Sequence, residues 1–392
     1  MAHRHDQPVD LALKRVLTLV AVALALATVA AMVVLRPGDP GDRPDLGELT
    51  TSEFVDAKVV DIDPKGCVNA SPEAGLACDL VHLELLNGPD RGEVTNLEFP
   101  ASATTPELDV GDRVVLSYSP GAEPGFNYNF ADRSRKPVLV WLAVLFAVAV
   151  VVLGRLRGLS ALAGLIASIV VLLAFALPAL IDGRNPIAVS VVAAAAISFV
   201  ALYAAHGFNA MTTVALLGTL GSLALTAVLA VAFLELARFS GYGSEEAAFL
   251  SSVAGELDLR GLLLAGVVIG ALGAVDDMTV TQASAVWELR AADPTMSTRR
   301  IYLAGLRIGR DHVASTVNTL FLAYAGASMP LFVLFVLAEQ SLASIANSEV
   351  VAVEIVRTLV GSIGLVAAVP LTTWLAARCL PPAAHEKPST SG

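Results

Sequence analysis

The stretch GLLLAGVVIGALGAVDDMTVTQASAVWE, residues 261–288, decides the fold. It is apolar for longer than the roughly 20 residues that cross a bilayer as an α-helix, and its small and polar residues collect on one side. At about 100° per residue, Gly266, Gly270, Gly273, Asp277, Thr281, Ser284 and Glu288 stay within about 40° of a single line. That line carries carboxylates to a depth where water is scarce, and an ionisable residue inside a membrane span is a functional-site candidate by default. The structural alternative is that Gly266, Gly270 and Gly273 only let helices approach, with Asp277 as a hydrogen-bonding latch.

The rest of the chain repeats the apolar pattern. Of 392 residues, 55% are hydrophobic and 16% charged, the balance of an integral membrane protein rather than of a large soluble core. Spans are expected at Val16–Leu35, Val138–Leu153, Leu159–Leu180, Ile187–Ala205, Met211–Leu236, Gly261–Val286, Val313–Leu337 and Thr358–Ala377. The expected fold class is therefore a membrane all-α bundle of about eight transmembrane helices, with a small β-domain of OB-like or SH3-like size inserted between helices 1 and 2. Residues 1–35 are the N-terminus and first anchor, 36–136 the β-rich domain and linker, 137–380 a seven-helix membrane domain, and 381–392 a disordered tail.

In the inserted segment, period-two alternation broken by turn residues places strands at Phe54–Ile62, Leu80–Leu86, Glu93–Phe99 and Arg113–Tyr118. Ser119–Asn129, rich in Pro and Gly, reads as a linker into the second span. The segment holds 19 acidic and nine basic residues, a net −10 out of −11 for the whole chain, so nearly all the acidic excess is here. A solvated surface explains that excess. No basic patch with interleaved aromatics appears, which excludes nucleic acid as a partner.

Basic residues set the orientation, since cytoplasmic loops carry the Lys and Arg excess. Arg155, Arg157, Arg290, Arg299, Arg300, Arg307 and Arg310 lie in loops on the side of the N-terminus, which puts both termini in the cytoplasm and residues 36–136 outside. One cluster, Arg133, Arg135 and Lys136, falls on the wrong side. Cys67 and Cys78 share the exported segment, where a disulfide is expected, while Cys379 ends the last span as a thiol. No cysteine pair has the spacing of a zinc site and the histidines are scattered, so neither metal nor cofactor is expected.

Four further readings concern side chains in the spans. Asp276 stands about 100° off the glycine line and cannot share a face with Asp277. Asp311, Ser315, Asn318, Leu322 and Ala325 fall near one line of their own helix, so Asn318 donates to Asp277 if the two helices pack, around a polar cavity; the structural alternative is one interhelical bond of about 0.6 kcal/mol. Near the other surface, Glu235 and Arg357 form a candidate outer latch, with Glu354 or headgroup snorkelling as alternatives for Arg357. Gly361 and Gly364, one face with Arg357, join the helix-packing glycines.

Adjacent aspartates on one helix cannot face each other across a substrate, and neither a Gly-x-Ser-x-Gly elbow nor a His-Glu-x-x-His motif occurs, so an enzyme is not expected.

Several motifs act together: Gly270-Ala271-Leu272-Gly273-Ala274-Val275-Asp276-Asp277 running to Glu288-Leu289, then Gly309-Arg310-Asp311, Asn318-Thr319-Leu320 and Ala323-Tyr324-Ala325-Gly326. They continue through Asn347, Glu349 and Glu354 to Arg357-Thr358-Leu359-Val360-Gly361-Ser362-Ile363-Gly364. In these the chain resembles the YibE/F-like family of multi-pass bacterial membrane proteins, over most of its length. The resemblance implies the bacterial inner membrane and brings no established activity. Asp277 takes the family's recurring aspartate position, whereas Asp276 stands where an apolar residue, often methionine, is expected. The functional expectation is a permease or channel-like transporter of an ion or small solute, with Asp277, Thr281, Ser284, Asn318 and Asp276 around its cavity. The alternative is an envelope sensor or scaffold whose β-domain binds a ligand or an envelope protein. The lipid bilayer is a partner under either, and both are compatible with an oligomer.

Overall fold

The computed structural model describes residues 11–38, 53–64, 78–100, 106–122, 127–253 and 257–381. The chain divides into two compact units, one over residues 44–149 and the other over 1–43 with 150–392.

The smaller unit is an antiparallel sheet of β1 (Glu53–Pro64), β2 (Cys78–Leu85), β3 (Val94–Pro100), β4 (Arg113–Tyr118) and β5 (Tyr128–Arg133) in the order β3-β2-β1-β4-β5. Alternation decides the inner face: Val55, Ala57 and Val59 of β1 meet Leu83 and Leu85 on one side and Val114 and Leu116 on the other, all buried. The sheet curls until Phe99 of β3 meets Phe130 of β5 edge to face, ring centroids 5.4 Å apart. Between β2 and β3, Gly88 takes φ 86° and lies over Val55, where a Cβ would come within 2.8 Å of its Cγ2.

Four of these strands are the expected ones; β5 lies partly in the stretch read as a linker, which is corrected here. Its signal is short, with Tyr128 and Phe130 pointing inward between polar neighbours. Tyr128 stacks on Tyr118 at 4.9 Å and donates to Asp90 at 2.7 Å. Burial first, and then the bond to Asp90, push its phenol well above the usual tyrosine range. Cys78, at the start of β2, is disulfide-bonded; Cys67, its expected partner, lies outside the described residues, and Cys379 is a free thiol.

The basic cluster that ran against the charge count is engaged by this unit's own acids. Arg133 pairs with Asp112 at 3.2 Å, Arg135 with Asp132 at 2.5 Å and Lys136 with Asp56 at 2.8 Å. Each pair is exposed enough to add little stability. Locally, however, each offsets the positive charge beside the following helix.

The helices are α1 (Leu11–Val34), α2 (Lys136–Val171, its first part up to residue 149 in the smaller unit, continued by a π turn at Leu172–Ala176 and α3, Leu177–Ile181), α4 (Pro186–His206), α5 (Ala210–Leu236), α6 (Glu245–Val253), α7 (Leu259–Ala292), α8 (Thr298–Ala327), α9 (Met329–Leu337), α10 (Leu342–Asn347) and α11 (Glu349–Cys379), and apart from that first part of α2 they make up the larger unit. Asn185, Asn209 and Asp258 start α4, α5 and α7 by accepting from the backbone N–H three residues on, at 3.0, 2.9 and 2.8 Å.

Six helical runs among the described residues are long and apolar enough to cross a membrane, and α8 with α9 makes a seventh if the 62° bend between them lies within one span. Eight spans were expected. The difference is Lys136–Ile181, 46 residues of helix that take in both Val138–Leu153 and Leu159–Leu180. At Arg155 that run leaves helical geometry, with φ 52° and ψ −130°. Three residues on, a Cβ at Gly158 would collide with the Val150 carbonyl oxygen eight positions back.

Inside this unit α5, α7 and α11 pack most extensively on one another, with α4 against α7 and α8 against α11. Small and hydroxylated residues set that closeness. Gly364 of α11 faces Thr226 of α5, Gly218 of α5 faces Thr372 of α11, and Gly361 of α11 faces Ala271 of α7. Past the end of α5 the chain is fastened to the start of α11: Glu349 accepts from Ser240 N at 3.0 Å, Ser240 Oγ at 2.7 Å and Gly241 N at 2.7 Å.

Two stability outcomes follow from this geometry. Arg155→Gly, which removes a side chain from positive φ, is expected to stabilise the detergent-solubilised protein by about 1 kcal/mol, and Gly158→Val to destabilise it, both read by thermal unfolding; an unchanged midpoint for both would count against the break. Tyr128→Phe is expected to lose about 1 kcal/mol by leaving Asp90 without its donor, checked by urea unfolding followed by tyrosine fluorescence.

Candidate functional site

The site is built on α7, because its two adjacent aspartates turn to different surroundings. The 100° step between neighbours sends one side chain into the bundle and the other away from it. Val268, Ala271, Leu272, Val275, Met278, Thr279 and Gln282 form the buried face of α7, while Gly270, Gly273, Asp277 and Glu288 are exposed. Asp276 flanks the buried face.

The Asp276 carboxylate accepts from Ser198 Oγ of α4 at 3.1 and 3.3 Å, and the Thr219 hydroxyl of α5 is near enough to act on its charge. Thr219 Oγ1 lies 2.7 Å from Thr279 Oγ1, which reaches the Asp276 backbone carbonyl at 3.0 Å. Ser198, Thr219 and Thr279 are all fully buried. Three helices thus place oxygen atoms around one carboxylate. Among the described residues, no lysine, arginine or histidine forms an ion pair with it.

Asp277 is 68% exposed, with His312 Nε2 of α8 3.7 Å away. Thr281 and Ser284 are partly buried farther along the same line. The helices α7 and α8 do pack, but through Val275 and Met278 against Val313 and Val317. Asn318 sits on the exposed side of α8 and makes no hydrogen bond to Asp277 among the described residues. Of the glycine line, Gly266 and Gly270 make room for the side chains of Arg357 and Tyr324, whose atoms lie 3.5 and 3.0 Å from where a Cβ would stand; Gly273 has nothing within 4 Å. Gly361 and Gly364 lie against Ala271 of α7 and Thr226 of α5, and Gly273 faces open space.

The outer latch needs correction. Glu235 pairs with Arg260 of α7, and Arg357 pairs with Glu354 at 2.7 Å. Glu354 lies one turn away on the same helix, where a side chain is reached without any helix having to move. The Arg357 guanidinium also lies 5.9 Å over the Tyr324 ring, and its Nε is buried with no hydrogen-bond partner.

Sequence reasoning missed the buried hydroxyls. Besides the Asp276 set, Gln282 donates to Gly305 O at 2.8 Å and Thr373 Oγ1 at 2.7 Å, joining α7, α8 and α11. Ser222, Ser362 and Thr372 are buried between α5 and α11, and their hydroxyls have no partner among the described residues. The available signal was the spacing Thr219, Ser222, Thr226, one polar face on an otherwise apolar span.

The family model described as YibE/F-like protein matches residues 142–382. The five strands precede the matched segment, and all of the Asp276 site lies within it. No curated protein and no solved structure matches the chain. With more than half of its length inside that match, the chain belongs to the YibE/F-like family.

Proposed function

We propose that this is a multi-pass membrane protein that carries a small cation, a proton or a monovalent metal ion, through its helical core, with Asp276 as the exchanging group. The observation that carries the reading is a partly buried carboxylate whose side-chain partners, among the described residues, are hydroxyls. An uncompensated charge in such surroundings costs several kcal/mol. A bound proton or a bound cation removes that cost, and alternation between the two is what an exchanger does. Carboxylate and hydroxyl oxygens are hard donors, suited to hard cations rather than to thiophilic metals. The orphaned hydroxyls of Ser222, Ser362 and Thr372 extend the polar lining along the seam of α5 and α11. Asp277, with His312 beside it, is a second carboxylate one residue on, and serves as the comparison.

The test is proteoliposomes of the full chain with a trapped pH indicator, exposed to sodium, potassium or lithium gradients. A cation-dependent internal pH change that is lost in Asp276→Asn and kept in Asp277→Asn is the expected result. Absence of any change for the unaltered protein, or full activity of Asp276→Asn, would sink the proposal. Folding is monitored in parallel: Asp276→Ala strands the Ser198 donor and is expected to lose about 1–3 kcal/mol, whereas Asn retains an acceptor and stays close to the parent stability.

A further inference from the structure

One face of α8 is left uncovered by the bundle. Asp311, Ser315, Asn318, Leu322 and Ala325 stay within about 40° of a single line; the first four are exposed and Ala325 is partly buried. Neither the Ser315 hydroxyl nor the Asn318 amide has a hydrogen-bond partner among the described residues, whereas Thr316 and Thr319 turn their hydroxyls back to His312 O and Ser315 O, both at 3.0 Å. Beside this face stand Asp277, 68% exposed, and Gly273, with nothing within 4 Å of where a Cβ would be.

Depth makes this exposure costly when α7 spans a bilayer. Asp277 stands 17 residues after Arg260 and 13 before Arg290 on that helix. At 1.5 Å per residue that is about 26 and 20 Å, more than half of a hydrocarbon core of roughly 30 Å. Asn318 shares the depth, since it lies between His312, which is beside Asp277, and Tyr324, whose hydroxyl is 3.0 Å from where a Cβ of Gly270 would stand. Lipid leaves an amide or a carboxylate there unsatisfied. Water does not suit the face either, because Leu322 on it and Phe321 at its edge are each 57% exposed. Apolar, small and polar side chains mixed at mid-membrane are what one helix presents to another.

We propose that this face of α8 joins two copies of the chain about a two-fold axis along the membrane normal, passing beside Asn318. Copies inserted the same way meet at equal depth, so each residue near the axis faces its own counterpart. An amide suits that position because it carries donor and acceptor together, and a reciprocal Asn318 pair satisfies both. Small residues on the two flanks, Ala314 and Gly326, let the backbones approach. Arg310 and Asp311 are exposed at one depth on opposite flanks of the line and form no ion pair among the described residues. Across a parallel two-fold, opposite flanks meet, so each Arg310 faces the partner subunit's Asp311. The contact goes beyond the cation reading and stands without it, because Asp276 turns to α4 and α5.

The experiment is disulfide trapping of the full chain in membrane vesicles, with Cys379→Ser removing the free thiol. Oxidation of Asn318→Cys is expected to give a covalent product of twice the chain's mass, under conditions in which Val228→Cys, exposed on α5, gives none. A second measurement is energy transfer between donor- and acceptor-labelled chains in proteoliposomes diluted with lipid, which yields the dissociation constant. Asn318→Leu is expected to weaken association about tenfold, the order set by losing two interhelical hydrogen bonds at once. Should Asn318→Leu fail to fold, the trapping experiment decides. No product from Asn318→Cys, an equal product from Val228→Cys, or a product whose mass is that of the chain joined to a different protein overturns the proposal, as does an unchanged dissociation constant in a folded Asn318→Leu.

Discussion

How closely α5, α7 and α11 approach one another governs the rest of the helical unit. In a bilayer there is no hydrophobic gain from bringing two apolar helices together, so association rests on packing and on hydrogen bonds between side chains. Here both are supplied by the same residues. Gly364 admits Thr226, Gly218 admits Thr372, and Gly361 rests on Ala271. Once the backbones are that near, short hydroxyl side chains reach across, and Thr219 meets Thr279 at 2.7 Å. Asp276 then has hydroxyls of two neighbouring helices close to it without any long side chain being needed. A wider spacing would leave the carboxylate to water or to nothing.

The same closeness explains what was legible in the sequence and what was not. Helical periodicity separates Asp276 from Asp277 by face, and it does so correctly because it depends only on local geometry. Which of the two faces turns to the bundle depends on the partners, and those come from α4 and α5, more than 50 residues away. The glycine line looked like a packing surface, yet Gly266 and Gly270 accommodate Arg357 and Tyr324 while Gly273 is open. Glycines at helical spacing mark room, and the sequence does not say whether a backbone or a side chain fills it. The buried hydroxyls were overlooked for a related reason: Ser and Thr are common in apolar spans and become distinctive only when their neighbours are known.

In the β unit the legible part was alternation, since Val55, Ala57 and Val59 pair with inward residues on both sides. The fifth strand escaped because it follows a Pro- and Gly-rich stretch and ends in charges. Those charges also form the basic cluster that runs against the orientation expected from the charge rule. The rule counts lysines and arginines as bare cations near a membrane surface, and Arg133, Arg135 and Lys136 are each matched by an aspartate.

The Glu349 clamp constrains how the bundle can move. Glu349 holds the segment that leaves α5 to the first turn of α11, and interlocking at Thr226 with Gly364 and at Gly218 with Thr372 joins the same two helices along their length. Helices tied at one end and interlocked at two further levels behave as a single rigid body. Ser198, by contrast, stands on α4, which touches α5 far less than α11 does. That helix packs instead on α7, the helix that carries Asp276. Ser198 is thus the hydroxyl that ties Asp276 to α4, while Thr219 belongs to the helix that the clamp and the interlocked glycines hold to α11.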